Sequence, residues 1–394
     1  MCPINYRNKL RSYVSLGGLC LLLLNGSSCN AQPPAQALLI PAKSSPVAMG
    51  CGPGNIVAGD VNNDGKVDLI LACSQEKRLT IFIGQGNGAF TPSVKPVDVS
   101  IAPNEIALSD VNGDGNADLV VASHDSYGVL IVTGDGKGNF AVSPNAIITM
   151  LTGRDPHTHG LGTGDFNGDA IPDIATANNS DNAIAIMLST SNRNWVPAPG
   201  SPFPVNSSPY PLTVGDVNRD GKLDVVSTST RTTSGGISLL IGDGKGNFRR
   251  QDVTLRTPSP WFVAIGDINR DGKSDLAITH SERSELSILA GNSSGDFTEV
   301  AGSPFSLASS AWHVSIADMN GDANADVLAA ANDGVRVMLG NGKGQFKPAP
   351  GSPFATGKGS WHLAVTDVNG DGKPDVATSN LESKSFSVLL GRGH

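Results

Sequence analysis

After its first thirty residues the chain shows no helical periodicity of useful length; its apolar residues come in runs of four or five bounded by turn residues. Leu69-Ile-Leu-Ala72, Leu119-Val-Val-Ala122 and Val263-Ala-Ile-Gly266 are examples. A strand with one wet face would alternate apolar and polar residues, so these continuous runs predict strands covered on both faces. A third strand follows in each unit, as in Leu79-Thr-Ile-Phe-Ile83, Ile237-Ser-Leu-Leu-Ile241 and Val335-Arg-Val-Met-Leu339. It ends at a Gly-rich turn closed by Phe: Gly84 to Phe90, Gly134 to Phe140, Gly242 to Phe248 and Gly340 to Phe346. Gly-rich loops can also cradle phosphate, but no helix and no Lys-Ser/Thr follow, so the turn predicts a hairpin. A more polar fourth strand completes the unit, often with Gly-Ser-Pro-Phe (302–305, 351–354).

Between the first two strands of each unit stands one loop of fixed composition. Asp60-Val-Asn-Asn-Asp-Gly-Lys-Val-Asp68 carries Asp at positions 1, 5 and 9, Asn at 3 and Gly at 6. Six further copies start at Asp110, Asp165, Asp216, Asp267, Asp318 and Asp367, at steps of 50, 55, 51, 51, 51 and 49 residues. Oxygens at alternate positions of a tight loop suit a hard divalent cation, and calcium tolerates the irregular shell they make. The loop resembles the first half of an EF-hand but lacks its late glutamate; the ninth-position Asp closes it instead. Up to seven calcium ions are therefore expected. Their ligands are Asp60, Asn62, Asp64, the carbonyl of Lys66 and Asp68 in the first loop, then Asp110, Asn112, Asp114, Asn116 and Asp118 in the second. The same positions give Asp165, Asn167, Asp169, Ile171 and Asp173, and then Asp216, Asn218, Asp220, Lys222 and Asp224. The last three sets are Asp267, Asn269, Asp271, Lys273 and Asp275; Asp318, Asn320, Asp322, Asn324 and Asp326; and Asp367, Asn369, Asp371, Lys373 and Asp375. Position 6 is Ala170 in the third loop and Ala323 in the sixth, where a positive φ would make alanine costly and the site weaker.

Four strands per unit, seven times over, predict an all-β, seven-bladed β-propeller of four-stranded antiparallel blades spanning residues 37–394. The seventh unit stops after its third strand, at Leu390-Gly-Arg-Gly-His394. Residues 37–50, which include Ala37-Leu-Leu-Ile-Pro-Ala-Lys-Ser-Ser-Pro46, read like a fourth strand, so the N-terminal segment is expected to complete the last blade and hide its edge.

The formal charge of −8 adds little about partners, because 21 of the 36 acidic residues are loop aspartates. No basic stripe with interleaved aromatics appears, which argues against nucleic acid. Residues 1–31 read as a secretory signal: Arg7, Lys9 and Arg11, then an apolar core from Tyr13 to Leu24, with cleavage after Ala31 and a spacer at 32–36. The rival reading lipidates Cys29 in Gly26-Ser-Ser-Cys29, which would be the chain's one route to a membrane. The expected location is secreted, periplasmic or cell-surface. Cys51 and Cys73, on arms that pair across the first loop, are then expected to form a disulfide.

Counting six residues back from each loop's first Asp gives Gly54, Asn104, His159, Tyr210, Trp261, Trp312 and Trp361, on the face opposite the loops. With His157, His313 and His362 alongside, His159, Tyr210 and the three tryptophans form a candidate ligand face for a glycan or a protein. The competing reading has these rings pack the tapering axis. His124 and His280 belong to neighbouring loops of the same face, and a transition metal would draw on His159, His313 and His362. No catalytic constellation emerges; an enzyme reading would nominate Arg154, His157 and His159 only by their proximity in sequence.

The seven Asp loops and the Gly-rich turns ending in Phe resemble the FG-GAP/VCBS repeats of integrin α-subunit propellers and many bacterial secreted proteins. The resemblance spans about residue 37 to 394, although the third turn departs from it as Ser189-Thr-Ser-Asn-Arg-Asn-Trp195. It implies a calcium-stabilised propeller acting in adhesion or ligand recognition. A carbohydrate-active enzyme on the same scaffold and a purely structural surface protein are the alternatives.

Overall fold

The computed structural model describes residues 37–93, 95–153, 155–192, 194–230 and 236–393. The signal, the spacer, Cys29 and Arg154 lie outside these residues. The described chain contains no helix and forms seven antiparallel four-stranded sheets round an axis, a seven-bladed β-propeller. The innermost strands of blades 1 to 7 are Asn55–Gly59, Glu105–Ser109, Thr158–Gly164, Pro209–Gly215, Pro260–Gly266, Ala311–Ala317 and Ser360–Thr366. The second strands, such as Asp68–Cys73 and Asp326–Ala331, are buried along their whole length, as continuous apolar runs require.

The core is divided among the gaps between blades. Ile70, Leu79 and Ile81 of blade 1 pack with Leu119, Val121 and Leu130 of blade 2. Residues of blade 7, including Val388 and Phe386, pack with Ile56, Leu69 and Phe82 of blade 1. Each such aliphatic or aromatic side chain contributes about 1.5–3 kcal/mol by leaving water.

The ring closes through Leu39–Pro41, which pairs antiparallel with Ser385–Gly391 of blade 7. The outer strand is interrupted and resumes in a second short piece in blades 1, 3, 5 and 7, and in blade 6 as a single bridge of Phe354 to Val335. In four blades the interruption holds Ser-Pro, and the serine hydroxyl accepts an amide of the third strand. These bonds are Ile186 N to Ser201 Oγ at 2.9 Å, Ile288 N to Ser303 Oγ at 3.1 Å, Val337 N to Ser352 Oγ at 3.1 Å and Val388 N to Ser45 Oγ at 2.9 Å. Ser45-Pro46 thus does in blade 7 what Gly-Ser-Pro-Phe does elsewhere.

The ninth-position aspartate of every loop is 0–1% exposed and ties the loop to the blade. Asp68 Oδ2 accepts Val61 N at 3.0 Å, and its Oδ1 accepts Gly84 N, at the end of the third strand, at 2.8 Å. The equivalent pair recurs in the other six blades, from Asp118 with Val111 and Gly134 to Asp375 with Val368 and Gly391. The third strand must come very close to donate. A Cβ on Gly84 would stand 2.0 Å from the Val67 carbonyl oxygen, so glycine is required there. Cys51 and Cys73, with Cα atoms 5.9 Å apart, are joined by a disulfide at the end of the second strand far from this loop, on the side of Gly52 and Ser74.

Candidate functional site: the axial cup

All seven residues six positions before the loops line one cavity of about 350 Å³ at the end of the axis opposite the loops. Blades 1 and 2 contribute Gly54 and Asn104, blade 3 His159, and blades 4 to 7 Tyr210, Trp261, Trp312 and Trp361. The rings form a continuous arc. His159 stacks on Tyr210 with centroids 3.3 Å apart, Tyr210 meets Trp261 at 4.4 Å, Trp261 meets Trp312 at 5.4 Å, and Trp312 stacks on Trp361 at 4.6 Å. Trp312 Nε1 donates to Asn332 Oδ1 at 2.9 Å, which fixes its ring on the rim.

A one-residue irregularity in pairing explains how two successive side chains of one strand both reach the axis. In blades 3 to 7 the inner strand bulges between Thr158 and Gly160, Pro209 and Leu212, Pro260 and Val263, Ala311 and His313, and Ser360 and Leu363. A bulge sets two residues against one on the partner strand and breaks the alternation of faces. Backbone groups it frees are taken by hydroxyls in the neighbouring second strand. Phe262 N donates to Thr279 Oγ1 at 3.2 Å and His362 N donates to Ser379 Oγ at 3.1 Å. The pairing in blades 1 and 2 is unbroken from Asn55 and Glu105 onward.

The result is a second layer beneath the arc. Phe262 and His313 lie 4.0 Å apart and His313 and His362 3.7 Å apart, centroid to centroid. Glu105 belongs to this layer and receives a hydrogen bond from Asn55 Nδ2. Glu105 is half-buried and lines both the cup and a second cavity beneath it. Removal from bulk water pushes its carboxyl up to about 8, and the Asn55 bond opposes the shift without cancelling it. Burial drives His362 down to about 3 and His313 well below the ordinary imidazole range, so both are neutral.

Of the eight residues expected on the ligand face, His159, Tyr210, Trp261, Trp312, Trp361 and His362 line the cup. His313 is 7% exposed in the lower layer, and His157 stacks beside His124 at 5.5 Å. A metal site from His159, His313 and His362 is not assembled, since His159 contacts Tyr210, His124 and His157 instead. His280 is fully buried, its Nδ1 2.9 Å from Pro258 O and its Nε2 2.9 Å from Ser287 Oγ, and it belongs to blade 5 rather than to the face. Glu105 and Asn55 were not foreseen; counting five rather than six residues back from the loops would have found them.

On the opposite face the loops present only hard oxygen donors. Asp60 Oδ1 and Asn62 Oδ1 both accept the amide of Asp64, at 3.2 and 3.0 Å, which turns the first and third side chains inward together. The fifth side chain folds in likewise, Asp64 Oδ1 accepting Lys66 N at 2.9 Å. Burial pushes the ninth-position carboxyls of Asp118, Asp173, Asp224, Asp326 and Asp375 up to about 6 against the pull of their amide donors, and the other two loop aspartates add repulsion. A divalent cation would relieve that repulsion, so the donor set fits one. The loops stand open: among the described residues the one trio of His, Cys, Asp or Glu with ligating atoms within 4.8 Å of one another is Cys51, Cys73 and Glu76, whose sulfurs are spent in the disulfide. Positions 4 and 6 both take positive φ, with Asn63 at 58° and Gly65 at 78° in the first loop. Ala170 and Ala323 adopt 67° and 63° at position 6, while position 4 of those loops is glycine, Gly168 and Gly321, as it is in the second and seventh loops.

Seven like blades built on one repeated loop define a repeat β-propeller. The repeats are those of the FG-GAP-like family: its model matches residues 60–121, 110–176, 165–227, 267–329 and 318–378, more than half of the chain, which belongs to that family. No curated protein matches the sequence. Among solved structures, BBS1N in complex with ARL6DN superposes with a TM-score of 0.60 at 13% identity, over 90% of this chain and 98% of that one. A lectin from Agrocybe aegerita, solved for its recognition of non-reducing terminal N-acetylglucosamine, gives 0.55 at 17% identity over 85% and 84% of the two chains. A putative 6-phosphogluconolactonase from Bacteroides uniformis gives 0.58 at 16% identity over 77% and 85%. Likeness at this level is one of fold.

Proposed function

We propose that this protein is a secreted, calcium-stabilised recognition module that holds a glycan or protein ligand in the axial cup. The observation that carries the reading is the convergence of all seven register residues on one cavity, with half-buried rings on blades 4 to 7. Concave sites walled by aromatic rings with a few polar groups at rim and floor are how proteins hold sugars and side chains. Calcium, when bound, would supply positive charge to the three carboxylates of each loop. Positions 1, 3 and 5, the carbonyl at 7 and the carboxylate at 9 would hold it. The chain's own part is the amide network that already orients those oxygens. Export is supported by the leader-like sequence of residues 1–31 and by the Cys51–Cys73 disulfide, which suits an oxidising compartment. The rival route to a membrane is lipidation at Cys29.

A glycan array and a panel of extracellular proteins, screened with wild type and Trp312→Ala, test the proposal. A ligand bound by wild type and lost with the indole is the expected result. Turnover of a polysaccharide that disappears in Glu105→Gln would replace binding with catalysis.

A further inference from the structure

Resting on that recognition reading, we propose that the cup selects ligands bearing an organic cation, an alkylated ammonium group seated among Tyr210, Trp261, Trp312 and Trp361 over the carboxylate of Glu105. Three features of the cup converge on this chemistry. The walls are π faces and edges from four successive blades, and aromatic faces attract ammonium ions through the ring quadrupole, most strongly for tryptophan. The floor is acidic: among the residues lining the cup, Glu105 is the one carboxylate. The floor also holds a spare acceptor. Asn55 Nδ2 is committed to Glu105, while Asn55 Oδ1 is buried without a partner.

The remaining titratable groups do not oppose this. His362 is held neutral by burial, the same cause lowers His124, and Lys384 stands exposed on the rim. The Lys384 ammonium stays out on the rim and does not act on Glu105, whose carboxyl burial holds up to about 8. A bound ammonium would favour its ionised form by direct attraction in a site with little water. A neutral sugar ring would use the tryptophan faces equally well but would gain nothing from ionising Glu105.

The test is a titration of tryptophan fluorescence in the full chain with choline and with its uncharged isostere, in which carbon replaces the nitrogen. Choline is expected to bind about tenfold more tightly than the isostere, a difference within the range of a partly desolvated cation–π contact. Glu105→Gln should shrink the preference to the part the aromatic walls supply, with an unchanged melt at acidic pH certifying its fold. Equal binding of choline and isostere to wild type overturns the proposal, and so does a preference undiminished in Glu105→Gln. Phosphatidylcholine vesicles and a trimethyl-lysine peptide serve as further arms; binding of either supports the proposal and tells a lipid headgroup from a protein side chain as its source. A glycan lost in Trp312→Ala, with choline ignored, would overturn the cation preference and leave the recognition reading standing. If no ligand of any kind depends on Trp312, both fall.

Discussion

The two faces of the ring follow opposite rules. On one, seven loops repeat three aspartates and one asparagine in register, and seven ninth-position carboxylates take the same two backbone amides. On the other, seven equivalent positions carry Gly54, Asn104, His159, Tyr210, Trp261, Trp312 and Trp361. The backbone repeats sevenfold at the loops and nearly so at the cup, where the inner strands of blades 3 to 7 bulge and those of blades 1 and 2 do not. Sameness therefore marks what every blade needs in order to stand, and variety marks what one ligand needs from each direction. If the rings served packing alone, seven nearly equivalent gaps would ask for seven similar side chains.

The contrast yields graded expectations. Chelation should produce the largest change, because all seven loops lose a ligand together and binding to the folded state stabilises by mass action at each site. A melting temperature unmoved by chelator would remove calcium from the account. Next comes Asp275→Ala, which leaves the buried amides of Ile268 and Gly291 and the half-buried amide of Asn269 without an acceptor. It should cost about 3 kcal/mol or more, with or without calcium. Asp271→Asn, on the exposed part of the same loop, should matter only in the calcium-loaded melt. Equal losses for the two variants in chelator would mean that position 9 has no separate structural role.

On the cup face, Trp312→Ala should abolish ligand binding while lowering stability by less than about 2 kcal/mol, since the ring is only half-buried. A larger loss, repeated at Trp261 and Trp361, would return the rings to packing. Glu105 adds a pH signature. Its carboxyl is raised from 4.5 to about 8, so the folded chain keeps a proton that the unfolded chain releases, and stability is lost as pH rises across that interval. Glu105→Gln should melt above wild type by a margin that widens between those two values; a constant margin would sink the assignment. The smallest effect belongs to Ala170→Gly and Ala323→Gly. Relief of a positive φ should be worth up to about 1 kcal/mol and should tighten calcium at those loops, read by calorimetry.

How much of this could be read from the residues follows from what repetition exposes. Seven copies of one loop fix a ruler, and the ruler located the axial register without any knowledge of the blades. Ser45-Pro46, far from its sheet partners, betrayed the closing strand because it repeats the motif at 303–304 and 352–353. The lower layer was hidden for a geometric reason. Alternation along a strand sends neighbours to opposite faces, so Phe262, beside Trp261, and His362, beside Trp361, would not be expected to join them at the axis. The bulges of blades 3 to 7 break that rule, and their trace in the sequence is faint: hydroxyls such as Thr279 and Ser379 near the end of otherwise apolar second strands. His280 misled for the converse reason. It sits at the end of its strand, next to a loop, yet Pro258 and Ser287 enclose it from two sides.

The closing strand carries a consequence in time. Ser45 waits for Val388, 343 residues away, before its hydroxyl finds the amide it serves. A ribosome adding residues at common rates separates those two events by roughly 17 to 70 s. Six blades can pair internally as they emerge, each from contiguous chain, but the seventh needs the oldest and the newest segments at once. The last join is the slowest in prospect, and a chain arrested just short of Val388 would present both halves of an unmade seam.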